Sequence, residues 1–244
     1  MPFETAPTYV FDLHCDTLDR LALHKTFPDA GFMEQDAAIP DARMSSLANN
    51  DCHIALDRMA KAQYAWCQCF AAFIPDHMPA DWGWQVFCAV RDFFQSQLTE
   101  HAALIEQVRD ARDIRDIVAT GKCAGMFTVE GGSFIEGSLD CLHAAADAGV
   151  KMLTLTWNGK NAIASGNVTT DGLSTFGAQV VHAMEQRRMV VDVSHLNDAS
   201  FWDVVKASSR PFAASHSNSR AVCGHPRNLT DAMFRALADR GGIA

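Results

Sequence analysis

Short apolar runs alternate with segments of helical spacing along the chain. Within each run the apolar residues occupy successive positions rather than every second one, which is typical of strands buried on both faces of a parallel sheet. The predicted strands are Val10 to Asp16, Tyr64 to Ile74, Cys123 to Glu130, Val150 to Trp157, Met189 to His195 and Pro211 to His216, with Ile243-Ala244 as the first step of a seventh.

Most of the segments between these runs place apolar residues on one side of a helix. Ser138 can cap the start of one helix and Gly149 can end it, while Asn197 or Asp198 can cap another. The predicted helices are Trp82 to Gln97, Leu104 to Ile117, Ser138 to Ala148, Phe176 to Arg187, Ala199 to Ala207 and Asp231 to Asp239.

The stretch from Asp19 to Lys61 has a different pattern. It contains Pro28, Gly31 and Pro40, and the turn signal at residues 49–51 follows them. These residues predict a long irregular excursion between the first two strands, of the kind that often contacts a substrate.

The order of the elements predicts an α/β fold. Repeated βα units with apolar strands require a parallel sheet, and their number favours a closed barrel. A dinucleotide-binding sheet is disfavoured, because no GxGxxG loop follows the first strand. We therefore predict a single domain over residues 1–244, a TIM-type (β/α)8 barrel that is C-terminally incomplete in this chain. Strand edges left open in this way are expected to favour association, including a homodimer.

Composition narrows the class of partner. The 244 residues are 48% hydrophobic and 20% charged, and the formal net charge of -9 disfavours a nucleic-acid surface. No run approaches the ~18 apolar residues of a membrane span, and no signal-peptide core is present near the start, so a cytoplasmic protein without membrane contact is predicted. The eight cysteines form no CxxC pair and are expected to be buried, reduced thiols.

Metal-binding residue types fall at the ends of the predicted strands. In a parallel barrel the carboxyl ends of the strands carry the functional groups, and residues two apart on an extended chain point the same way. Taken alone, each of these side chains is better explained by solvent exposure, ion pairing or hydrogen bonding at the rim; together they predict a site suited to Zn²⁺. The residues are His14, Asp16, Glu130, His195 and His216.

Five segments resemble the renal dipeptidase family, also called membrane dipeptidases or peptidase family M19. The resemblance covers nearly the whole chain, and its last segment is long and discriminating. The segments are Asp12-Leu13-His14-Cys15-Asp16, Val129-Glu130-Gly131-Gly132, Leu153-Thr154-Leu155-Thr156, Asp171-Gly172-Leu173 through Asp192-Val193-Ser194-His195, and Ser215-His216-Ser217 through His225-Pro226-Arg227-Asn228-Leu229-Thr230-Asp231.

The resemblance implies a barrel of the metal-dependent hydrolase kind that binds two Zn²⁺ ions. By this resemblance His14 and Asp16 bind the first zinc, His195 and His216 bind the second, and Glu130 bridges the two as a catalytic residue. A bridged pair of metals can bind hydroxide and polarise a scissile carbonyl.

Arg227 matches the family residue that holds the free carboxylate of the substrate, for which a planar guanidinium is well suited. A structural ion pair with Asp231 is the alternative role for this arginine.

The chain also departs from the family pattern. Trp157 stands where mammalian relatives have a histidine, so the role of that histidine cannot be transferred. Family members place a metal-binding aspartate at the end of the eighth strand, and the sequence given stops before that position, so we expect poor turnover by these 244 residues alone.

The predicted function is zinc-dependent hydrolysis of dipeptides by a metal-bridging hydroxide. Two alternatives remain open: a related two-metal hydrolase that acts on lactones or N-acyl amino acids, and a metal-binding remnant without turnover.

Overall fold

A computed structural model describes residues 8–26, 43–62, 64–76 and 79–244, which fall into two compact units. Of these described residues, the first unit contains those up to 72 and from 88 to 127, and the second contains those from 73 to 87 and from 128 to 244. The elements are β1 (Tyr9–Asp12), α1 (Thr17–Thr26), α2 (Leu56–Ala62), β2 (Ala65–Phe73), α3 (Ala80–Glu100), β3 (Ile105–Gln107), α4 (Ala111–Ala119), β4 (Cys123–Glu130), α5 (Leu139–Asp147), β5 (Met152–Thr154), α6 (Thr175–Gln186), β6 (Val190–Asp192), α7 (Asp198–Ala207) and α8 (Asp231–Asp239).

In the first unit the strands are parallel, as predicted. β1 pairs with β2, with Tyr9 opposite Ala65, and β2 lies beside β4. Every residue of β4 is buried, which explains its continuous apolar run. Phe94 of α3 packs against Phe70 and Phe127 of these strands at ring-centroid distances of 5.9 and 5.2 Å.

The predicted helix from Leu104 to Ile117 is wrong in its first half. Ile105–Gln107 is instead the short strand β3, parallel to β4. The pairing packs the Ile105 side chain against Gly125, where a Cβ atom would lie 2.8 Å from Cδ1 of Ile105. The helix begins only at Ala111, where Asp110 and Asp113 form a capping box.

The predicted irregular excursion is also wrong in part. It contains the helices α1 and α2, while Pro28, Gly31 and Pro40 lie outside the described residues. The turn at residues 49–51 is present: the Asn50 side chain donates to the Ser46 carbonyl at 3.0 Å and accepts from the Cys52 amide at 3.0 Å.

The second unit continues the parallel pairing. β5 pairs with the last residues of β4 and with β6, placing Glu130, Thr154 and Asp192 at matching positions of the three strands. The predicted caps of α5 and α7 are confirmed, since Ser138 and Asn197 accept backbone hydrogen bonds at the two N-termini.

Of the predicted sixth strand, Pro211 to His216, only Ala213 forms β-bridges. Ala213 pairs in parallel with Asp192 and with Ile243. The ladder stops there because the Asp192 carboxylate, rather than a strand carbonyl, accepts the Ser215 amide at 2.9 Å. The Asp192 side chain thus takes the place of the backbone carbonyl that would accept the next hydrogen bond of the sheet.

All eight cysteines are free thiols, and five of them are buried. Burial raises the pKa of Cys15 to about 11 and that of Cys67 to about 12, so these two thiols stay protonated at neutral pH.

Within the described residues, none of the helices combines the length and apolar character needed to cross a membrane.

Glu185, near the end of α6, anchors the turn that leads towards Ala213. Its carboxylate accepts hydrogen bonds from the Ser209 amide at 2.7 Å, the Ser209 hydroxyl at 2.6 Å and the Arg210 amide at 2.9 Å. Burial alone would raise the pKa of Glu185, but these hydrogen bonds outweigh it and hold the pKa below its ordinary value.

We expect Glu185→Gln to lower the free energy of unfolding at pH 7 by about 1 to 3 kcal/mol, because the charged acceptor of three donors is lost. The depressed pKa means that the stabilisation is present above the ordinary carboxyl pKa of 4.5 and disappears as the pH falls through the folded-state value. Urea unfolding at pH 7 and at a series of pH values below 4.5 checks both parts. Glu106→Gln, which changes an exposed carboxylate paired with Lys122, is the control. Equal effects of the two variants at pH 7 would contradict the prediction.

Candidate metal centre

Three of the predicted ligands meet in the second unit. Nε2 of His195 lies 2.6 Å from Oε1 of Glu130 and 2.8 Å from Nε2 of His216, and the His216 nitrogen lies 3.3 Å from the same carboxylate oxygen. Glu130 and His195 are almost fully buried, at 5% and 6% exposure. Two imidazole nitrogens and one carboxylate oxygen therefore converge on one point.

Glu130 is fixed by the backbone at the end of β4. Its carbonyl accepts the Ile74 amide at 2.8 Å, and the next amide, of Gly131, donates to the Thr154 carbonyl at 3.0 Å. Gly131 has a φ of +96°, and a Cβ atom there would overlap the Ile74 carbonyl oxygen. Only glycine permits this approach, which accounts for the glycine after Glu130 in the sequence.

His195 follows β6 in an unusual backbone conformation, with a φ of 70°. Left-handed backbone costs a residue with a Cβ atom roughly 1 to 2 kcal/mol, and such strain concentrates at functional sites. Its Nδ1 lies 3.0 Å from Oδ1 of Asn158, which also accepts a hydrogen bond from Asn167 at 2.6 Å. Burial lowers the pKa of His195, against the opposing effect of Glu130, and so favours the neutral imidazole that binds metals.

His216 lies just beyond the bridges at Ala213. Its Nδ1 is 2.7 Å from the Ser215 hydroxyl, and that hydroxyl donates to Asp192 at 2.6 Å. Burial would raise the pKa of Asp192, but the nearby His216 and the hydrogen bonds from Ser215 and Thr154 hold it below its ordinary value. Asp192 is therefore a charged carboxylate beneath His216, the predicted ligand.

Arg227 reaches the same cluster. Its Nη2 donates to Nε2 of His195 at 2.5 Å, and its Nη1 donates to the His216 carbonyl at 3.2 Å. Burial lowers the pKa of Arg227, while Glu130 and Asp192 act in the opposite direction. Among the described residues these contacts, rather than the alternative ion pair with Asp231, hold the guanidinium.

The segment that carries Arg227 is clamped by a second arginine. Arg220 forms a two-pronged ion pair with Asp198 at 2.9 and 2.7 Å, and it donates to the Asn228 and Pro226 carbonyls at 2.7 and 2.9 Å. The position of Arg227 thus depends on the start of α7.

The remaining predicted ligands, His14 and Asp16, lie in the first unit. They follow β1, which ends at Asp12, and Nε2 of His14 lies 2.9 Å from Oδ1 of Asp16. The predicted spacing therefore does bring this imidazole and this carboxylate together.

Trp157 borders the cluster of the second unit. Its ring meets Phe73 edge-on at a centroid distance of 5.1 Å and lies 6.2 Å from the ring of His195. An aromatic surface therefore lines one side of the histidine.

Sequence reasoning missed the residues that support the ligands, namely Asn158, Asp192 and Ser215. A second buried carboxylate, Asp76, accepts the Trp157 and Gly159 amides at 3.1 and 2.7 Å and so holds the loop that carries Asn158. Asp192 carried a signal, since a charged residue inside a buried apolar strand needs partners.

The donor set of this cluster fits a divalent transition metal. Nitrogen from neutral histidines and oxygen from a carboxylate are ordinary ligands of zinc, and the cluster lies at the carboxyl ends of parallel strands. The fold and the site together define a parallel α/β protein with a candidate metal centre at the carboxyl ends of its strands.

Sequence comparison identifies the family. The chain belongs to the membrane dipeptidase family, peptidase family M19, whose sequence profile matches residues 5–244. An uncharacterised protein encoded in the pqqA 5′ region of Klebsiella pneumoniae is 32% identical over 174 residues, which are 68% of this chain and 62% of that protein. The chain thus spans less than two thirds of the length of this relative.

Solved structures share the fold. A metallopeptidase from Rhodobacter sphaeroides, bound to a phosphinate mimic of the dipeptide L-Ala-D-Ala, matches with a TM-score of 0.84 at 24% identity, over 98% of this chain and 74% of that one. The dipeptidase AC, a metallopeptidase of family M19, matches with a TM-score of 0.82 at 25% identity, over 98% of this chain and 72% of that one. The predicted α/β fold of the TIM-type barrel kind is confirmed.

Proposed function

We propose that the protein is a zinc-dependent dipeptidase. The observation that carries the proposal is the convergence of Glu130, His195 and His216, with Nε2 of His195 2.6 Å from the Glu130 carboxylate. Membership of a metallopeptidase family supports metal dependence, and the Rhodobacter enzyme bound to a dipeptide mimic supports the substrate class.

Two zinc ions are proposed, each held by residues that lie side by side. His14 and Asp16 would hold one, and Glu130, His195 and His216 would hold the other. Zinc, when bound, supplies a Lewis acid that makes water nucleophilic near neutral pH and polarises the scissile carbonyl.

The protein side chains position the substrate. Arg227 would bind the free carboxylate of the dipeptide through its fork of N–H donors, since its guanidinium is half-buried beside His195 and fixed by the clamped segment. Trp157 and Phe73 would offer an apolar surface to the substrate and exclude water from that side.

A substrate panel tests the proposal. The protein is freed of metal, reloaded with zinc, and assayed with free dipeptides, lactones and N-acyl amino acids. Hydrolysis of dipeptides that depends on zinc and exceeds the other two classes supports the proposal. Turnover of lactones or N-acyl amino acids in preference would support the related hydrolase, and zinc binding without turnover of any class would support a remnant; either result overturns the proposal.

A further inference from the structure

The Asp192 carboxylate is completely buried beneath His216 and accepts four hydrogen bonds. Oδ2 accepts from the hydroxyls of Thr154 and Ser215 at 2.5 and 2.6 Å, and Oδ1 accepts from the amides of Ser194 and Ser215 at 3.1 and 2.9 Å. A charged carboxylate can only accept, so both hydroxyl protons must point towards it.

This geometry determines the direction of the next hydrogen bond. Ser215 has a single hydroxyl proton, which it gives to Asp192, so its oxygen can only accept from Nδ1 of His216, 2.7 Å away. The reverse arrangement would place the Ser215 oxygen and the Asp192 oxygen 2.6 Å apart with no proton between them.

The consequence for His216 is a proton held on Nδ1. The other nitrogen, Nε2, is turned towards the cluster, 3.3 Å from the Glu130 carboxylate and 2.8 Å from Nε2 of His195. The ring is also tethered through its backbone, because the His216 amide donates to the Ser194 hydroxyl at 3.0 Å. A histidine that holds its proton on Nδ1 in a fixed ring plane can present Nε2 to a metal.

We infer that Asp192, acting through Ser215, is a positioning residue that presents Nε2 of His216 to zinc. The inference rests on the proposed function for the identity of the metal. It differs from the arrangement at His195, whose Nδ1 lies 3.0 Å from the neutral amide oxygen of Asn158 and 3.2 Å from Nε of Arg227. The two ligand histidines are therefore oriented by different groups, one of them through a buried negative charge.

The test compares two variants, each of which removes one hydroxyl group that donates a hydrogen bond to the Asp192 carboxylate. Ser215→Ala removes the link to His216, whereas Thr154→Val removes a donor to the same carboxylate and leaves the link intact. Long-range ¹H–¹⁵N NMR of the metal-free protein reports which nitrogen of His216 carries the proton, and competition with a chromophoric chelator reports the zinc affinity. Ser215→Thr keeps the hydroxyl and serves as the rescue variant.

We expect wild type, Thr154→Val and Ser215→Thr to hold the proton on Nδ1. Ser215→Ala is expected to give a mixture of tautomers and to lower zinc affinity by about 10- to 100-fold, the usual effect of losing the partner of a ligand histidine. A Ser215→Ala protein with the wild-type tautomer, or with an affinity within about threefold of Thr154→Val, would overturn the inference. The NMR result stands whatever the protein hydrolyses, so failure of the proposed function would be seen separately in the substrate panel.

Discussion

Glu130→Gln is expected to lower kcat/KM for dipeptide hydrolysis by more than about 100-fold, beyond the 10- to 100-fold that loss of a ligand's hydrogen-bond partner costs. Glutamine keeps the size of the side chain but removes the negative charge that lies 2.6 Å from Nε2 of His195. Zinc retention should fall together with activity, because the neutral amide is a much poorer ligand than a carboxylate. The measurements are steady-state kinetics and elemental analysis of the same preparations.

Glu136→Gln is the matched control, since this carboxylate is exposed in the same segment after β4. It should retain both zinc and activity. A Glu130→Gln protein that keeps its zinc and stays within about tenfold of wild-type kcat/KM would remove Glu130 from the metal centre.

Arg227→Met is expected to lower kcat/KM for free dipeptides, because the substrate carboxylate loses its charged partner. The decrease should correspond to a loss of roughly 2 to 4 kcal/mol of transition-state binding. C-terminally amidated dipeptides lack this carboxylate and should be affected less. Zinc content should stay unchanged, which separates this effect from that of a ligand substitution. Kinetics with matched pairs of free and amidated dipeptides provide the measurement.

Arg235→Met, an exposed arginine on α8, controls for the loss of a positive charge. If Arg227→Met slows free and amidated dipeptides equally, this arginine does not bind the carboxylate and serves instead to hold His195, which it contacts at 2.5 Å.

The sequence predicts the meeting of Glu130, His195 and His216 because Glu130 ends β4, His195 follows β6 and His216 follows the bridges at Ala213. The carboxyl ends of parallel strands share one edge of the sheet. It predicts the pairing of His14 with Asp16 from their spacing alone. Both predictions depend on periodicity and strand order, which survive errors of a few residues in the element boundaries.

Other features could not be read from the sequence because tertiary contacts decide them. Ile105–Gln107 pairs in parallel with β4 beside Gly125, and a helical pattern in the sequence gives no sign of that pairing. The Asp192 carboxylate ends a strand by replacing a carbonyl of the ladder, which depends on the position of Ser215 in three dimensions. The left-handed backbone of His195 is likewise imposed by its surroundings.

The central claim is that Glu130, His195 and His216 together bind zinc. Crystals of the protein grown with zinc, measured on both sides of the zinc absorption edge, test it most directly. We predict an anomalous difference peak at about 2.0 to 2.2 Å from Nε2 of both histidines and from a carboxylate oxygen of Glu130. Zinc bound elsewhere in the crystal, with these three side chains in contact with one another and without a peak between them, would contradict the claim.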